Sequence, residues 1–233
     1  MRRRHLARAS SVTVRQHLSQ ALPRPALAAG PAGWLNRRVG PWRLSAARVT
    51  SEILAPVPVA SALLVGAAWA GAASPMEAVR WATVAVAFAA LAPAVYIAHG
   101  VRARRLTDRH VSRREQRPGP LLVGVASCLI GLALLAEAGA PRGLILLLVA
   151  MVVGLVAALL ATLVWKVSLH TAVLAGAAVV LAYSLGWPAL VACLLLVPLG
   201  WARVELGHHT PAQALAGTLL GAGSAAAVIM LLR

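Results

Sequence analysis

Acidic residues are almost missing from this sequence. Six Asp and Glu stand against 22 Lys and Arg in 233 residues, and charged residues of both signs make up only 12% of the chain while 60% is hydrophobic. A chain this poor in charge cannot clothe an apolar core with solvated surface, which excludes an ordinary water-soluble domain and points to an integral membrane protein. Cysteine is equally scarce. Cys128 and Cys193 both fall inside apolar runs, so they read as small hydrophobes rather than as a disulfide or a metal site. Lysine is reduced to Lys166, and the formal net charge of +16 is an arginine charge. No internal repeat and no pair of interrupted apolar segments stands out, which argues against a small-solute transporter.

What is present divides at about residue 49. Residues 1–49 hold ten arginines and no acid, with Pro and Gly scattered from Pro23 to Pro41. No unbroken apolar core follows the MRRRH start within the first thirty residues, so a secretory signal peptide is not the reading. The expectation is a basic, largely disordered cytoplasmic tail whose later part, with Trp34, Arg37, Arg38, Trp42 and Arg43, lies at the headgroup interface. An arginine-rich arm also suits nucleic acid, but no reading motif accompanies it, and no nucleic-acid partner is expected.

Residues 50–233 form the second part. About 20 apolar residues cross the hydrocarbon core, and on that rule an all-α, polytopic transmembrane bundle of six to seven spans is expected. The candidates are residues 53–72, 81–99, 120–135, 144–165, 171–185, 188–202 and 211–232, with Pro56, Pro58, Pro93 and Pro198 predicting kinks. Nineteen cationic residues fall on the side of the tail. Arg80, Arg142 and Arg233 fall on the other. The asymmetry predicts a multi-pass protein of the cell membrane with its N-terminus inside and its C-terminus outside.

On that topology three polar clusters emerge on one face. Residues 106–120 read LTDRHVSRREQRPGP, residues 165–170 read WKVSLH, and residues 201–213 read WARVELGHHTPAQ. Polar groups this dense beside membrane-length apolar runs mark a functional site. The natural partner is anionic, because an arginine fork matches phosphate and a neutral imidazole serves as nucleophile or base. A helix starting near Thr210 puts His209 and Gln213 on one face.

Taken in order, Arg117-Pro118, Ser168 with His170, and Arg203 six residues before His209 resemble the signature of the type 2 phosphatidic acid phosphatase superfamily, in an actinobacterial membrane branch. The family pattern is Lys, six residues, Arg-Pro; Pro-Ser-Gly-His; and Ser-Arg, five residues, His, three residues, Asp. The resemblance covers about residues 45–233. It implies that Arg117 and Arg203 clamp phosphate with Ser168 adding a hydroxyl, that His110 and Lys166 add to the phosphate site, that His209 attacks phosphorus, and that His170 is the general acid and base. The implied substrate is a membrane lipid phosphate or diphosphate monoester, with no metal and no other cofactor. The chain departs from the pattern at four places: His110 stands for Lys, Val167 and Leu169 flank Ser168, Ala202 precedes Arg203, and Gln213 stands for Asp. An amide at Gln213 can orient the His209 ring but supplies no charge. Glu205 is the alternative source of charge and His208 the alternative nucleophile. These departures also fit a non-catalytic relative that binds or senses anionic lipid. Glu52 and Asp108 are expected to pair with neighbouring arginines, and Gly217 and Gly221 to mark a close helix contact within the bundle. Oligomeric state is not specified.

Overall fold

The computed structural model describes residues 40–232, and the described residues contain helices and no strand. Helix α1 (Pro41–Ile53) is followed, after a break at Leu54 and Ala55, by α2 (Pro56–Gly71). Then come α3 (Pro75–Val86), a π-helical turn at Ala87–Leu91, and α4 (Ala92–Arg102). After a loop and a short 3-10 turn follow α5 (Pro118–Glu137), α6 (Arg142–Val164) and α7 (Leu169–Leu185). A 3-10 stretch (Trp187–Leu195) leads into α8 (Leu196–Glu205), and α9 (Pro211–Leu232) ends the bundle. Proline stands in the first turn of α1 to α5, where its missing N–H has no intrahelical partner to lose.

Six stretches are long and apolar enough to cross a membrane, namely Pro41–Gly71, Pro75–Arg102, Arg114–Glu137, Arg142–Val164, Pro188–Glu205 and Pro211–Leu232. The protein is a multi-pass membrane protein. The remaining expected span, residues 171–185 in α7, lies in a helix of 17 residues with a length of about 25 Å at 1.5 Å per residue. It is the inner helix, packed against α2, α8, α9 and the 3-10 stretch, so protein rather than lipid covers most of its surface.

Two expectations need correction. The tail was expected to run to residue 49, but residues 41–49 belong to α1, which packs on α8. The rest of that segment, with Trp34, Arg37 and Arg38, lies outside the described residues. Pro56 and Pro58 do not bend a continuous helix: within the membrane-length stretch Pro41–Gly71 the chain breaks outright at Leu54 and Ala55, Ala55 takes the extended conformation that a following proline favours, and the two prolines open α2. Pro93 and Pro198 sit near the π-turn and the 3-10 stretch, irregularities that accommodate lost backbone bonds.

Leu64, Ala85, Cys128, Leu135, Leu144 and Leu148 build the main core, with Cys128 as one more small apolar side chain. Large apolar side chains such as Leu129, Val153, Leu160 and Leu219 face outward. Gly217 and Gly221 do seat a helix contact: a methyl on Gly217 would meet the Ser168 carbonyl, and one on Gly221 the Ala172 carbonyl, both on α7. This contact fixes the height at which Ser168 and His170 stand against the start of α9.

Candidate functional site

The order of the helices brings the starts of α2, α5, α7 and α9 to the same end of the bundle as the ends of α4, α6 and α8. At that end three local motifs aim the polar side chains. The first closes α8. Gly207 takes φ +68°, and the N–H groups of Gly207 and His208 return to the carbonyls of Val204 and Arg203 at 2.9 and 3.1 Å, a Schellman turn. His209 N–H also reaches the Arg203 carbonyl, at 3.2 Å. The turn therefore folds His209 back beside Arg203, which is why five intervening residues serve.

The second motif opens α9. Thr210 N–H donates to Gln213 Oε1 at 3.2 Å and Gln213 N–H donates to Thr210 Oγ1 at 3.3 Å, a reciprocal capping box. The third opens α7, where Ser168 Oγ accepts from Thr171 N–H at 3.5 Å. Ser168 N–H in turn donates to the Gln213 carbonyl at 3.1 Å, tying the two helix starts together.

The loop between α4 and α5 supplies the remaining wall. Asp108 accepts from the N–H groups of His110 and Ser112 and from the hydroxyls of Ser112 and Thr107. Burial opposes its charge, but these donors outweigh it and hold the carboxyl below its ordinary range. The tight loop puts Val111 at φ +46°, a strained conformation for a β-branched residue. The carbonyl of Val111 thereby receives Arg117 Nε at 3.0 Å.

Arg117 and Arg203 are buried, 2% and 1% exposed. Arg117 donates to the carbonyls of Val111 and Val167 (3.0 and 2.6 Å) and stands 3.4 Å from His209 Nε2. Arg203 donates to Ser51 Oγ at 2.8 Å. Neither has a carboxylate within ion-pair distance among the described residues. Burying a cation without a counter-charge costs several kcal/mol, on the order of the desolvation penalty per ion. Arg203 Nε, His170 Nε2, His208 Nδ1 and His209 Nδ1 are buried without a hydrogen-bond partner. The His110 ring stands 5.4 Å from that of His170 and 5.5 Å from that of His208.

The field of these cations is felt in the loops. Burial, then Arg117, Lys166 and Arg203, push His209 down to about 3. Burial and Arg203 push His208 down to about 4. His110 is lowered by burial and Arg203 against the pull of Glu52, and Lys166 by burial, Arg117 and Arg203. His209 is thus neutral at ordinary pH. Arg117 can only donate, so its contact with His209 Nε2 is a hydrogen bond only in the tautomer with the proton on Nδ1.

All eight expected site residues come to this end, but several take posts other than the expected ones. Gln213 does not hold His209: its carbonyl lies near the ring and opposes the fall in pKa, yet it makes no well-formed bond there and accepts from Thr210 N–H. His209 itself lies in the loop before α9, not on the helix face. Glu205 does not supply charge to the site, because it pairs with Arg43 of α1 at 3.2 Å. Ser168 is 0% exposed, with its oxygen capping α7. Lys166 donates to the His208 carbonyl at 2.6 Å. Glu52 pairs with Arg109 at 2.6 Å and lies 3.3 Å from His110 Nε2, as expected of it, whereas Asp108 is taken up by loop N–H groups and hydroxyls and pairs with no arginine among the described residues. Ser51 is the residue that sequence reasoning missed. No local signal marks a serine whose partner stands 152 positions later.

Chemically the end of the bundle holds a neutral imidazole whose Nε2 faces Arg117, a second buried imidazole, and two guanidinium groups with no carboxylate beside them among the described residues. Among the described residues no three His, Cys, Asp or Glu side chains group as a metal-ligand set. The chain matches no protein-family model, no curated protein and no solved structure.

Proposed function

We propose that this protein is a membrane-embedded phosphatase that hydrolyses a lipid phosphate or diphosphate monoester through a phosphohistidine. The observation that carries the reading is the pair of buried arginines without carboxylates, Arg117 and Arg203, beside His209 and His170 with unpartnered ring nitrogens. A phosphoryl dianion supplies the anion that both guanidinium groups lack and a partner for His170 Nε2, with phosphorus offered to His209 Nε2; His209 Nδ1 stays unpartnered.

The steps follow from the groups at hand. Arg117 turns from His209 Nε2 to a phosphoryl oxygen, and Arg203 takes another. Nε2 attacks phosphorus, and the bond from phosphorus to the lipid-side oxygen breaks as His170, which takes up a proton when the phosphoryl dianion enters beside it, gives that proton to the oxygen. A water then attacks the phosphohistidine and passes a proton to His170. The P–N bond breaks, orthophosphate leaves, and His209 returns neutral. Arg117, rather than an acid at position 213, selects the reactive tautomer.

The test is phosphate release by the purified full chain from a panel of lipid mono- and diphosphates, beside His209→Ala and His170→Ala. Release lost in both variants is expected, with a phosphoenzyme trapped by rapid quenching of the unsubstituted chain and absent from His209→Ala. Release that survives His209→Ala would sink the mechanism. A second reading, a non-catalytic binder of anionic lipid, is favoured by His209 Nδ1, which has no acceptor where a carboxylate would sit. Gln213→Asp separates the two: an enzyme speeds up, whereas a binder stays inert.

The arginine excess on the site end supports a cytoplasm-facing site in the plasma membrane. A cysteine at Thr107, exposed in the α4–α5 loop, is then shielded from impermeant thiol reagents in intact cells. Its labelling without permeabilisation would reverse the orientation.

A further inference from the structure

A cavity of about 530 Å³ runs from the histidine-arginine end into the bundle. Its mouth is polar, with Glu52, Arg109, His110, Arg117 and His170 on the wall. Below them the wall is small and apolar, built by Gly124, Ala150, Gly154, Gly176, Ala177 and Ala225. Ser224 is the one hydroxyl at depth, and it is committed to the Leu220 carbonyl at 2.8 Å. The cavity reaches Leu147 on α6 and Val180 on α7. Val180 stands ten residues into α7 from His170, about 15 Å along the axis at 1.5 Å per residue.

Close-packed interiors do not keep voids of this size without cost, and an apolar wall offers water nothing to bond. The volume lies within the range of about 300–1,000 Å³ typical of ligand pockets. One side is formed by Val57 and Pro58 of α2 and by Ala94 and Ile97 of α4. Val57 and Pro58 are exposed, and α2 packs along α3 and the π-turn rather than along α4. An amphiphile therefore has a lateral way in from the hydrocarbon layer, at the height of the charged mouth.

Resting on the lipid-phosphate reading above, we propose that this cavity is a chain-length pocket: it takes one hydrocarbon chain of the phosphate-bearing lipid into the bundle, and Gly154 sets how long that chain is. Gly154 lies ten residues in from the end of α6 at Val164, about 15 Å down at 1.5 Å per residue. A Cβ there would meet only Ser224, at 4.0 Å, so the helix tolerates a side chain that projects into the cavity. The missing side chain leaves the lower half of the pocket open.

The experiment compares octyl through hexadecyl phosphate as substrates of the full chain in nanodiscs, for the wild type, Gly154→Leu, and Val153→Leu on the outward face of the same helix. Misfit of one methylene in an apolar pocket is worth roughly 10- to 200-fold. The ratio of hexadecyl to octyl turnover is therefore expected to fall at least about tenfold in Gly154→Leu and to stay unchanged in Val153→Leu. An unchanged ratio in folded Gly154→Leu overturns the pocket.

A second measurement keeps the question open to refutation if that variant does not fold, or if no alkyl phosphate is hydrolysed. Hexadecyl phosphate carrying a diazirine at its chain end should crosslink in the wild type to cavity residues of α6, α7 and α9. Crosslinks confined to outward residues such as Leu160 and Leu219 would show that the chain stays in the bilayer. Internal crosslinks without phosphate release from any member of the lipid mono- and diphosphate panel would refute the hydrolytic reading and leave the chain pocket standing.

Discussion

The two ends of this bundle treat polar groups in opposite ways. At the end away from the site, Ser74 and Glu77 close the start of α3: Glu77 N–H donates to Ser74 Oγ at 3.2 Å, and Glu77 Oε2 accepts from Ala73 N–H, one residue before Ser74, at 2.9 Å. Arg142 at that end donates to the Leu232 carbonyl at 2.9 Å, on the surface. Among the described residues no buried polar side-chain atom is left unpartnered there. At the site end, caps and turns are just as regular, but they surround two buried arginines and three histidines with unpartnered atoms. Polar groups that only terminate helices can satisfy themselves locally. Groups that remain buried and unsatisfied after the helices are closed mark a ligand's place, since such groups are otherwise costly.

The largest effect that sharpens this contrast is on turnover. Arg203→Lys keeps the charge but loses the planar fork, and removing one such donor from a transition-state site costs on the order of 100- to 1,000-fold. Arg142→Lys at the other end should leave phosphate release unchanged. Equal losses in both would mean that the contrast between the ends has no functional content.

Next in size is the helix contact that holds the site end together. Gly221→Ala forces a methyl against the Ala172 carbonyl, with backbone on both sides. Overpacking of this kind costs about 1–3 kcal/mol, to be read as a fall in thermal midpoint. Gly223→Ala, two residues on, meets nothing within 4 Å and should be neutral or slightly stabilising. A thermal scan in which the two variants behave alike would remove the close α7–α9 approach from the account.

The histidines give a third test through pH. Folded His209 and His208 titrate at about 3 and about 4, below their ordinary 6.5, so between those values the unfolded chain binds more protons. Stability is then fully present above 6.5 and falls as pH drops through the window toward 4 and 3. Inorganic phosphate or vanadate in the site should flatten that fall, because an anion offsets the cations that depress the imidazoles. A pH profile indifferent to both anions would argue that the cations have no exchangeable partner.

Much of this was legible in the residues. Arg117, Ser168, His170, Arg203 and His209 carry a fixed order and spacing, and alternating spans force residues at matching span ends to one face. Gly207 after an apolar helix is a local stop signal, and the Schellman turn it permits is what makes the Arg203 to His209 interval useful. Hydrogen-bond choice among tertiary neighbours was not legible. Glu205 could have served His209 or Arg43, and only the packing of α1 on α8 decides for Arg43. The same packing brings Ser51 to Arg203. At position 213 the local signal was present, since Thr210 with Gln three residues later is a capping pattern.

The smallest expected effect is the most discriminating about position 213. Thr210–Gln213 and Ser74–Glu77 are related caps at opposite ends, each at the start of a proline-led helix; Gln213 returns to the N–H of Thr210 itself, Glu77 to that of Ala73, one residue before Ser74. Loss of one capping interaction costs about 0.5–2 kcal/mol, so Gln213→Ala and Glu77→Ala should lower thermal stability by similar amounts. They differ in what the lost stability touches. The Gln213 carbonyl receives Ser168 N–H, and its side chain stands beside His209, so loosening that turn displaces the imidazole and the start of α7 together. Gln213→Ala should therefore slow phosphate release, while Glu77→Ala, matched in stability, should not. If the two variants lose stability equally and turn over equally, Gln213 is a helix cap and nothing more, and orientation of His209 falls to Arg117 alone.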